Sequence, residues 1–340
     1  MILALATKTL VSHIWRPPPI STKDHNRCHC FHRFPSFNLS FLPVLRTKYT
    51  VLDPFADPPD PSFPTLFKSA RVMLCFGPKP VTSEDLDRYP SLEYILGTSA
   101  GINNFDLAAC RRRGIRVTSA GDVYSVDVAD YAVGLAIDVL RRVSAADRFV
   151  RAGSWPVQNE YTLGSKVSGK RVGIVGLGSI GSRVAKRFEA FGCSIAYNSR
   201  KQKPHVSYAY YANVKDLASN VDVLIVCCAL TNETHRIINK DVMTALGKTG
   251  VIVNIERGPL IDEKELVELL VRGEIGGAGL DVFENEPQVP EPLFRLDNVV
   301  LSPHKAVLTL DSFAALEELI FSNLEAFFSN QPLRAEVELD

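Results

Sequence analysis

The 340-residue sequence has no surplus of either charge, with 38 Lys and Arg against 38 Asp and Glu. Without a basic excess there is no electrostatic footprint for nucleic acid or an acidic membrane surface, and neither partner is expected. No apolar run approaches the ~18 residues that span a bilayer, so no membrane segment is expected either. Cysteines are few and odd in number, seven in all. That argues against a disulfide framework and for a reducing compartment such as the cytoplasm. Cys28, His29, Cys30 and His32 lie close together, but no second ligand pair stands at zinc-site spacing, so no metal is expected. The first 50 residues hold a single acid, Asp24, against the basic Lys8, Arg16, Lys23, Arg27, Arg33, Arg46 and Lys48. Such a composition fits a transit peptide, with a plastid as the alternative destination. It fits equally a mature fold whose first strand is Leu10–Trp15, broken by Pro17–Pro19.

What is present is an α/β pattern centred on residues 171–200. The apolar run Val172–Val175 reads as a buried strand and leads directly into Gly176-Leu-Gly178-Ser179-Ile180-Gly181. Helical spacing follows from Val184 to Phe191, then a second strand over Ser194–Tyr197. Gly176 suits a tight turn, Gly178 lets backbone approach a diphosphate, and Gly181 lets helix and strand pack closely. The diphosphate would sit on the helix N-terminus. An NAD-specific site places a carboxylate at the tip of the second strand. Here the tip is Asn198-Ser199-Arg200-Lys201, where Arg200 suits a 2′-phosphate. NADP(H) is therefore the expected cofactor and NAD(H) the less favoured one, although an exposed basic turn would look the same.

Further strands are expected at Arg71–Phe76, Leu92–Leu96, Ile115–Thr118, Val221–Cys228, Val251–Asn254, Gly279–Asp281 and Val299–Ser302. Asn104 is placed to cap a helix over Phe105–Arg113, whose basic end Arg111–Arg113 suits a helix C-terminus. Apolar spacing from Asp127 to Val150 predicts one long amphipathic helix, and helices are also expected over Glu263–Val271 and Ser312–Phe328. Alternating strands and helices give the fold class: α/β, two Rossmann-like or flavodoxin-like domains with doubly wound parallel sheets. Residues 120–304 are expected to form the dinucleotide-binding domain. Residues 1–119 and 305–340 form the substrate domain, with 1–48 a divergent or transit segment.

Three ionisable residues follow successive strands: Arg257 in Asn254-Ile-Glu-Arg257-Gly258, Glu286 in Asp281-Val-Phe-Glu-Asn-Glu286-Pro287, and His304 in Ser302-Pro303-His304. Reduction of a 2-keto acid needs a cation for the carboxylate, an electrophile on the carbonyl and a proton for the developing alkoxide. The Arg257 fork suits the first two. His304 suits the third, because histidine exchanges its proton near neutrality, and Glu286 would orient it and favour its protonated form. Singly, each also fits a structural role as ion-pair partner, surface carboxylate or capping residue. Together, after a nucleotide fingerprint, they point to one site.

These motifs resemble the D-isomer-specific 2-hydroxyacid dehydrogenases, and within them the plant glyoxylate/hydroxypyruvate reductases that prefer NADPH. The resemblance runs from about Val51 onward and includes Gly97-Thr-Ser-Ala-Gly101, Val128-Ala-Asp130, Arg151-Ala-Gly-Ser-Trp155 and Gly277–Pro287. It implies the three catalytic roles above, Asp281 on the nicotinamide carboxamide, and Cys228 and Ile255 along the cofactor. It further implies the N–H groups of Ser99, Ala100 and Gly101 on the substrate carboxylate, and a homodimer with Trp155 at or near the partner's pocket. Four features depart from the pattern: Glu256 in place of a small residue, Lys305 after His304, Asn103 in place of aspartate, and the unmatched opening. The expected activity is NADPH-dependent reduction of hydroxypyruvate or glyoxylate. The alternatives are an aryl keto acid reductase acting on hydroxyphenylpyruvate, a dehydrogenase-fold corepressor that senses dinucleotide, and a weakly active paralogue.

Overall fold

The computed structural model describes residues 30–32, 41–52, 66–77, 79–158 and 160–339. Two all-parallel sheets organise them. The first holds β1 (Cys30–His32), β2 (Val51–Leu52), β3 (Val72–Cys75), β4 (Tyr94–Gly97) and β5 (Arg116–Thr118), in the order β2-β1-β3-β4-β5. The second holds β6 (Arg171–Val175), β7 (Ser194–Asn198), β8 (Ala209–Tyr210), β9 (Val223–Val226), β10 (Val251–Asn254), β11 (Gly277–Leu280) and β12 (Val299–Leu301). Its order is β12-β11-β10-β9-β6-β7-β8. The five-stranded order is flavodoxin-like, and the seven-stranded one is the Rossmann order with one more strand. The α/β fold class expected from the sequence is the one adopted. β3, β4, β9 and β10 are buried at every residue, because helices cover both faces of a parallel sheet.

Helices α1 (Leu42–Lys48), α2 (Ser83–Asp87) and α3 (Leu107–Arg112) connect the first sheet. Then α4 (Ser125–Arg141), α5 (Val143–Arg151) and α6 (Trp155–Gln158) lead away from it. In the second sheet α7 (Ser179–Ala190), α8 (Val214–Ala218), α9 (Lys240–Leu246) and α10 (Glu263–Val271) alternate with strands, and α11 (Leu310–Phe328) returns to the first sheet. There Phe327 stacks on Tyr94 with ring centroids 5.1 Å apart. Beyond α11, Val337 N–H donates to Val117 O at 2.9 Å and Ser119 N–H to Ala335 O at 3.1 Å.

Two local expectations are corrected. The long helix over Asp127–Val150 breaks at Arg142, which adopts a left-handed φ of 55°. Asp138 secures the break by accepting the Ser144 N–H at 2.7 Å and the Ser144 hydroxyl at 2.5 Å. This satisfies an amide that the first turn of α5 leaves unpaired. One left-handed residue does not disturb apolar spacing, so periodicity ran through it. Second, Asp106 rather than Asn104 caps α3, accepting the Ala109 N–H at 2.8 Å; the Asn104 amide donates to Lys79 O at 3.2 Å. In addition, residues 41–52 pack into the first sheet's layer. Leu45 is fully buried, and Phe41 packs 6.2 Å from both Phe76 and Phe321. The strand beside β2 and β3 is Cys30–His32. Leu10–Trp15, Cys28 and His29 lie outside the described residues.

Replacing Asp138 with alanine should lower stability by about 1 kcal/mol through loss of this cap, read as a reduced urea midpoint. An unchanged midpoint would show that the break is held by other contacts.

Candidate active site

Strand order reverses between β6 and β9, and doubly wound sheets bind ligands outside the carboxyl ends at that point. The glycine turn sits there. Gly176 has φ 98°, and a Cβ on it would lie 2.6 Å from both N and Cα of Cys228, so the exit from β9 closes against the turn. A Cβ on Gly181 would overlap the Gly176 carbonyl oxygen. Above Gly178, the N-cap of α7, nothing stands within 4 Å of the place a Cβ would occupy. The open N-terminus of α7, with Ser179 and Ile180 in its first turn, therefore fits the diphosphate of a dinucleotide. Cys228 is half-buried and Ile255 buried along the same edge.

At the tip of β7 the Ser199 hydroxyl donates to Lys201 O at 2.7 Å, a turn that leaves Arg200 and Lys201 exposed. The charge of Arg200 reaches Glu233. A hydrogen bond from the Thr231 hydroxyl, at 2.6 Å, acts first, then the residue's own amide and Arg200; together they hold the Glu233 carboxyl below its usual range. Glu233 escaped the sequence reading. Its signal was a lone acid in Thr231-Asn-Glu-Thr234 after β9, opposite a basic tip.

Arg257 is fixed by its own segment. The Asn254 amide donates to Arg257 O at 2.9 Å, and its Oδ1 accepts the Glu256 N–H at 3.1 Å. The Arg257 guanidinium donates through Nη1 to Glu256 O at 2.6 Å. From the other sheet, Gly101 presses on the same group, since a Cβ there would overlap Arg257 Nη2. Ser99, Ala100 and Gly101 form the loop leaving β4. It is braced by the Thr98 hydroxyl on Cys75 O at 2.9 Å, by the Tyr124 hydroxyl on Thr98 O at 2.6 Å and by the Ala120 N–H on Ser99 O at 2.9 Å. The departing residue Asn103 turns its Oδ1 toward Gly101. Asn254 was quoted in the sequence motif without a role; an asparagine at a strand end just before a charged residue is the signal for such a turn.

His304 Nδ1 lies 2.7 Å from Glu286 Oε2, and Glu286 Oε1 accepts the Phe283 N–H at 3.1 Å. Burial works to raise the Glu286 pKa. The His304 and Phe283 hydrogen bonds outweigh it, together with the charges of His304 and Arg257, and hold the carboxyl below its ordinary value. The acid thus stays ionised beside the imidazole, and Arg257 is near enough to act on it. His304 Nε2 has no partner among the described residues. His304 itself adopts φ 50°, a strained backbone for a non-glycine residue. Its N–H donates to Asp281 O at 2.7 Å.

Asp281 is wholly buried. Its Oδ1 accepts the Ser302 hydroxyl at 2.5 Å and the Lys305 N–H at 2.9 Å, and its Oδ2 the Ala306 N–H at 2.9 Å. A carboxylate has about four acceptor directions, so the carboxamide contact expected from the sequence is left with one. The Lys305 side chain is exposed while its N–H serves this clamp.

The pattern of the D-isomer specific 2-hydroxyacid dehydrogenase, NAD binding domain, matches residues 133–306. The chain belongs to that family. A glyoxylate/hydroxypyruvate reductase of Arabidopsis thaliana is 56% identical over 313 residues, 91% of this chain and 96% of that protein. A hydroxyphenylpyruvate reductase of Plectranthus scutellarioides is 52% identical over 251 residues, 74% of this chain and 80% of the relative. Among solved structures, an NADPH-dependent glyoxylate/hydroxypyruvate reductase from Sinorhizobium meliloti, in complex with NADP and malonate, superposes with a TM-score of 0.84. That structure is 33% identical and covers 92% of this chain and 97% of its own.

For this dehydrogenase, His304→Ala should lower kcat by about 10²- to 10⁴-fold while NADPH binding, read by nicotinamide fluorescence, stays intact. Glu286→Gln keeps an acceptor for Nδ1 but removes the charge. Reduction by this variant should then slow by about tenfold or more, because the imidazole loses the anion that orients it. An unchanged kcat would remove Glu286 from the role assigned to it.

Proposed function

We propose that this chain reduces small 2-keto acids, hydroxypyruvate and glyoxylate foremost, to 2-hydroxy acids with NADPH. The observation that carries the reading is the contact of Gly101 with the Arg257 guanidinium beside the Glu286–His304 pair. It supports a reading in which a cation, amide donors and a proton donor act around one space. NADPH bound on the Gly176–Gly181 turn supplies the hydride. Arg257 holds the substrate carboxylate and polarises its carbonyl oxygen through the two arms of its fork. The N–H groups of Ser99, Ala100 and Gly101 share the carboxylate. His304 delivers its proton from Nε2 to the oxygen as negative charge develops there, and ionised Glu286 keeps the ring oriented. Asp281 holds the His304 segment in place and turns its remaining acceptor direction to the carboxamide. Arg200, with Ser199 and Lys201, receives the 2′-phosphate.

An intact proton-transfer pair favours an enzyme over a corepressor. The hydroxyphenylpyruvate relative keeps aryl keto acids as the second substrate class. In a steady-state screen of hydroxypyruvate, glyoxylate, pyruvate and hydroxyphenylpyruvate, the first two with NADPH should give the highest kcat/KM. Consumption of neither coenzyme would favour the corepressor or a degenerate paralogue. Arg200→Asp should shift preference toward NADH by at least tenfold, the loss of one charge-assisted phosphate contact; an unshifted ratio would overturn the phosphate assignment.

The protein is further read as a homodimer. Leu163 is 92% and Trp155 64% exposed on the arm beyond α5, apolar surface that a monomer rarely leaves in water. Light scattering should report a dimer, and Trp155→Asp with Leu163→Asp a monomer. A monomeric wild type would refute the assignment. Among the described residues no helix is long and apolar enough to cross a membrane. The cytoplasm is the proposed compartment; plastid import of a reporter fused to residues 1–50 would assign the alternative.

A further inference from the structure

Arg183 lies on α7 outside every role assigned above. Its side chain turns back toward the start of the helix, where Nη1 donates to Ser179 Oγ at 2.6 Å and to Ser179 O at 2.9 Å. Ser179 is the first residue of α7, exposed beside the exposed Gly178. A helix N-terminus carries partial positive charge and favours acids in its first turn. α7 has none there and draws in a guanidinium instead. Among the described residues, the one carboxylate paired with that cation is Asp122, on the segment between β5 and α4, with Oδ2 3.7 Å from Nη2. That separation exceeds a hydrogen bond, and the Asp122 side chain is 75% exposed. Nε and Nη2 of Arg183 thus make no hydrogen bond among the described residues. Arg187, one turn further on, shows the contrast. Asp130 Oδ1 accepts from its Nε at 2.5 Å, and Arg183 O and Val126 O accept from its other nitrogens. One arginine is consumed by the structure; the other keeps donors beside the diphosphate turn.

We propose that Arg183 is a coenzyme-binding residue: its guanidinium pairs with the diphosphate seated on the N-terminus of α7 and leaves Asp122 to do so. The proposal rests on the dinucleotide reading of Gly176–Gly181. The amides of the first turn have no partner within the helix and point at the anion. A diphosphate on the Ser179 and Ile180 amides meets a cation already held on the Ser179 hydroxyl. The helix end and the guanidinium repel one another, and an anion shared between them relieves both. Hydrogen bonds between ionised partners are the strong ones, so the contact adds affinity. It does so equally for NADPH and NADH, because both carry the diphosphate. That separates Arg183 from Arg200, whose reading concerns the 2′-phosphate alone. Asp122 competes with the coenzyme for the same cation, so the two members of the pair act on affinity with opposite sign. A role confined to stapling α7 to the β5–α4 segment would give them the same sign.

Coenzyme binding to the full chain, read by nicotinamide fluorescence, tests this without turnover. Arg183→Gln should raise the Kd of NADPH and of NADH by the same factor, about tenfold, the loss of one charge-assisted contact. Its binding should also depend less steeply on salt than that of the wild type between about 0.05 and 0.5 M. Asp122→Asn, which removes the exposed competitor, should lower both Kd values by about twofold. An unchanged Kd in Arg183→Gln overturns the proposal. So does a loss confined to NADPH, which would assign the arginine to the 2′-phosphate. Weaker or unchanged binding by Asp122→Asn also overturns it, leaving a structural staple, whether or not the arginine variant folds. Each of these results leaves the functional reading untouched. Wild-type protein that binds neither coenzyme overturns the two together.

Discussion

The buried side chain of Asp281 joins three strand ends into one site. Its N–H donates to Asn254 O at 3.0 Å, tying β11 to the end of β10, where the Arg257 turn begins. Its carbonyl oxygen takes the His304 N–H, and its carboxyl gathers Ser302, Lys305 and Ala306. An acid so placed would be costly without partners. With them, it holds His304 in a left-handed conformation that the chain would not choose unaided. The position of the imidazole relative to the guanidinium follows from this arrangement, and so does the reach of Glu286.

Around that clamp the charges are ordered. Glu286 lies against His304, and the Arg257 charge acts on Glu286 while its guanidinium lies against Gly101 from the opposite sheet. The residues proposed as proton donor and carboxylate clamp therefore come from one sheet, and the loop that faces Arg257 from the other. Glu256 introduces a second acid into this setting. The hydrogen bonds from His304 and Phe283, with the charges of His304 and Arg257, hold the Glu286 carboxyl below its usual range, whereas burial pushes the Glu256 carboxyl up against the Arg257 charge.

Much of this was legible in the sequence. Parallel strands buried on both faces read as unbroken apolar runs, so Val251–Asn254 and Glu263–Val271 fall where the pattern puts them, as does the β6–α7 turn, whose glycines mark a close backbone approach. The residues Arg257, Glu286 and His304 were visible because each lies in a segment leaving a strand end. Less visible were effects that periodicity does not carry. Arg142 breaks a helix with one dihedral angle, and Asp138, four residues earlier, supplies the bonds that make the break tolerable. Cys30–His32 is too short a strand to announce itself. Asn254, Glu233 and the threefold grip of Asp281 act through partners distant in sequence or through side-chain geometry, and only the folded chain brings these together.

The central claim is that Arg257 and His304 act on the same keto acid held between the sheets. A crystal structure with NADPH and oxamate, an unreactive keto acid analogue, tests it most directly. The account requires the Arg257 fork on the carboxylate and carbonyl oxygen, with His304 Nε2 within about 2.6–3.2 Å of that oxygen. A complex in which either group turns away from the carbonyl, with the analogue bound elsewhere in the crevice, would contradict it.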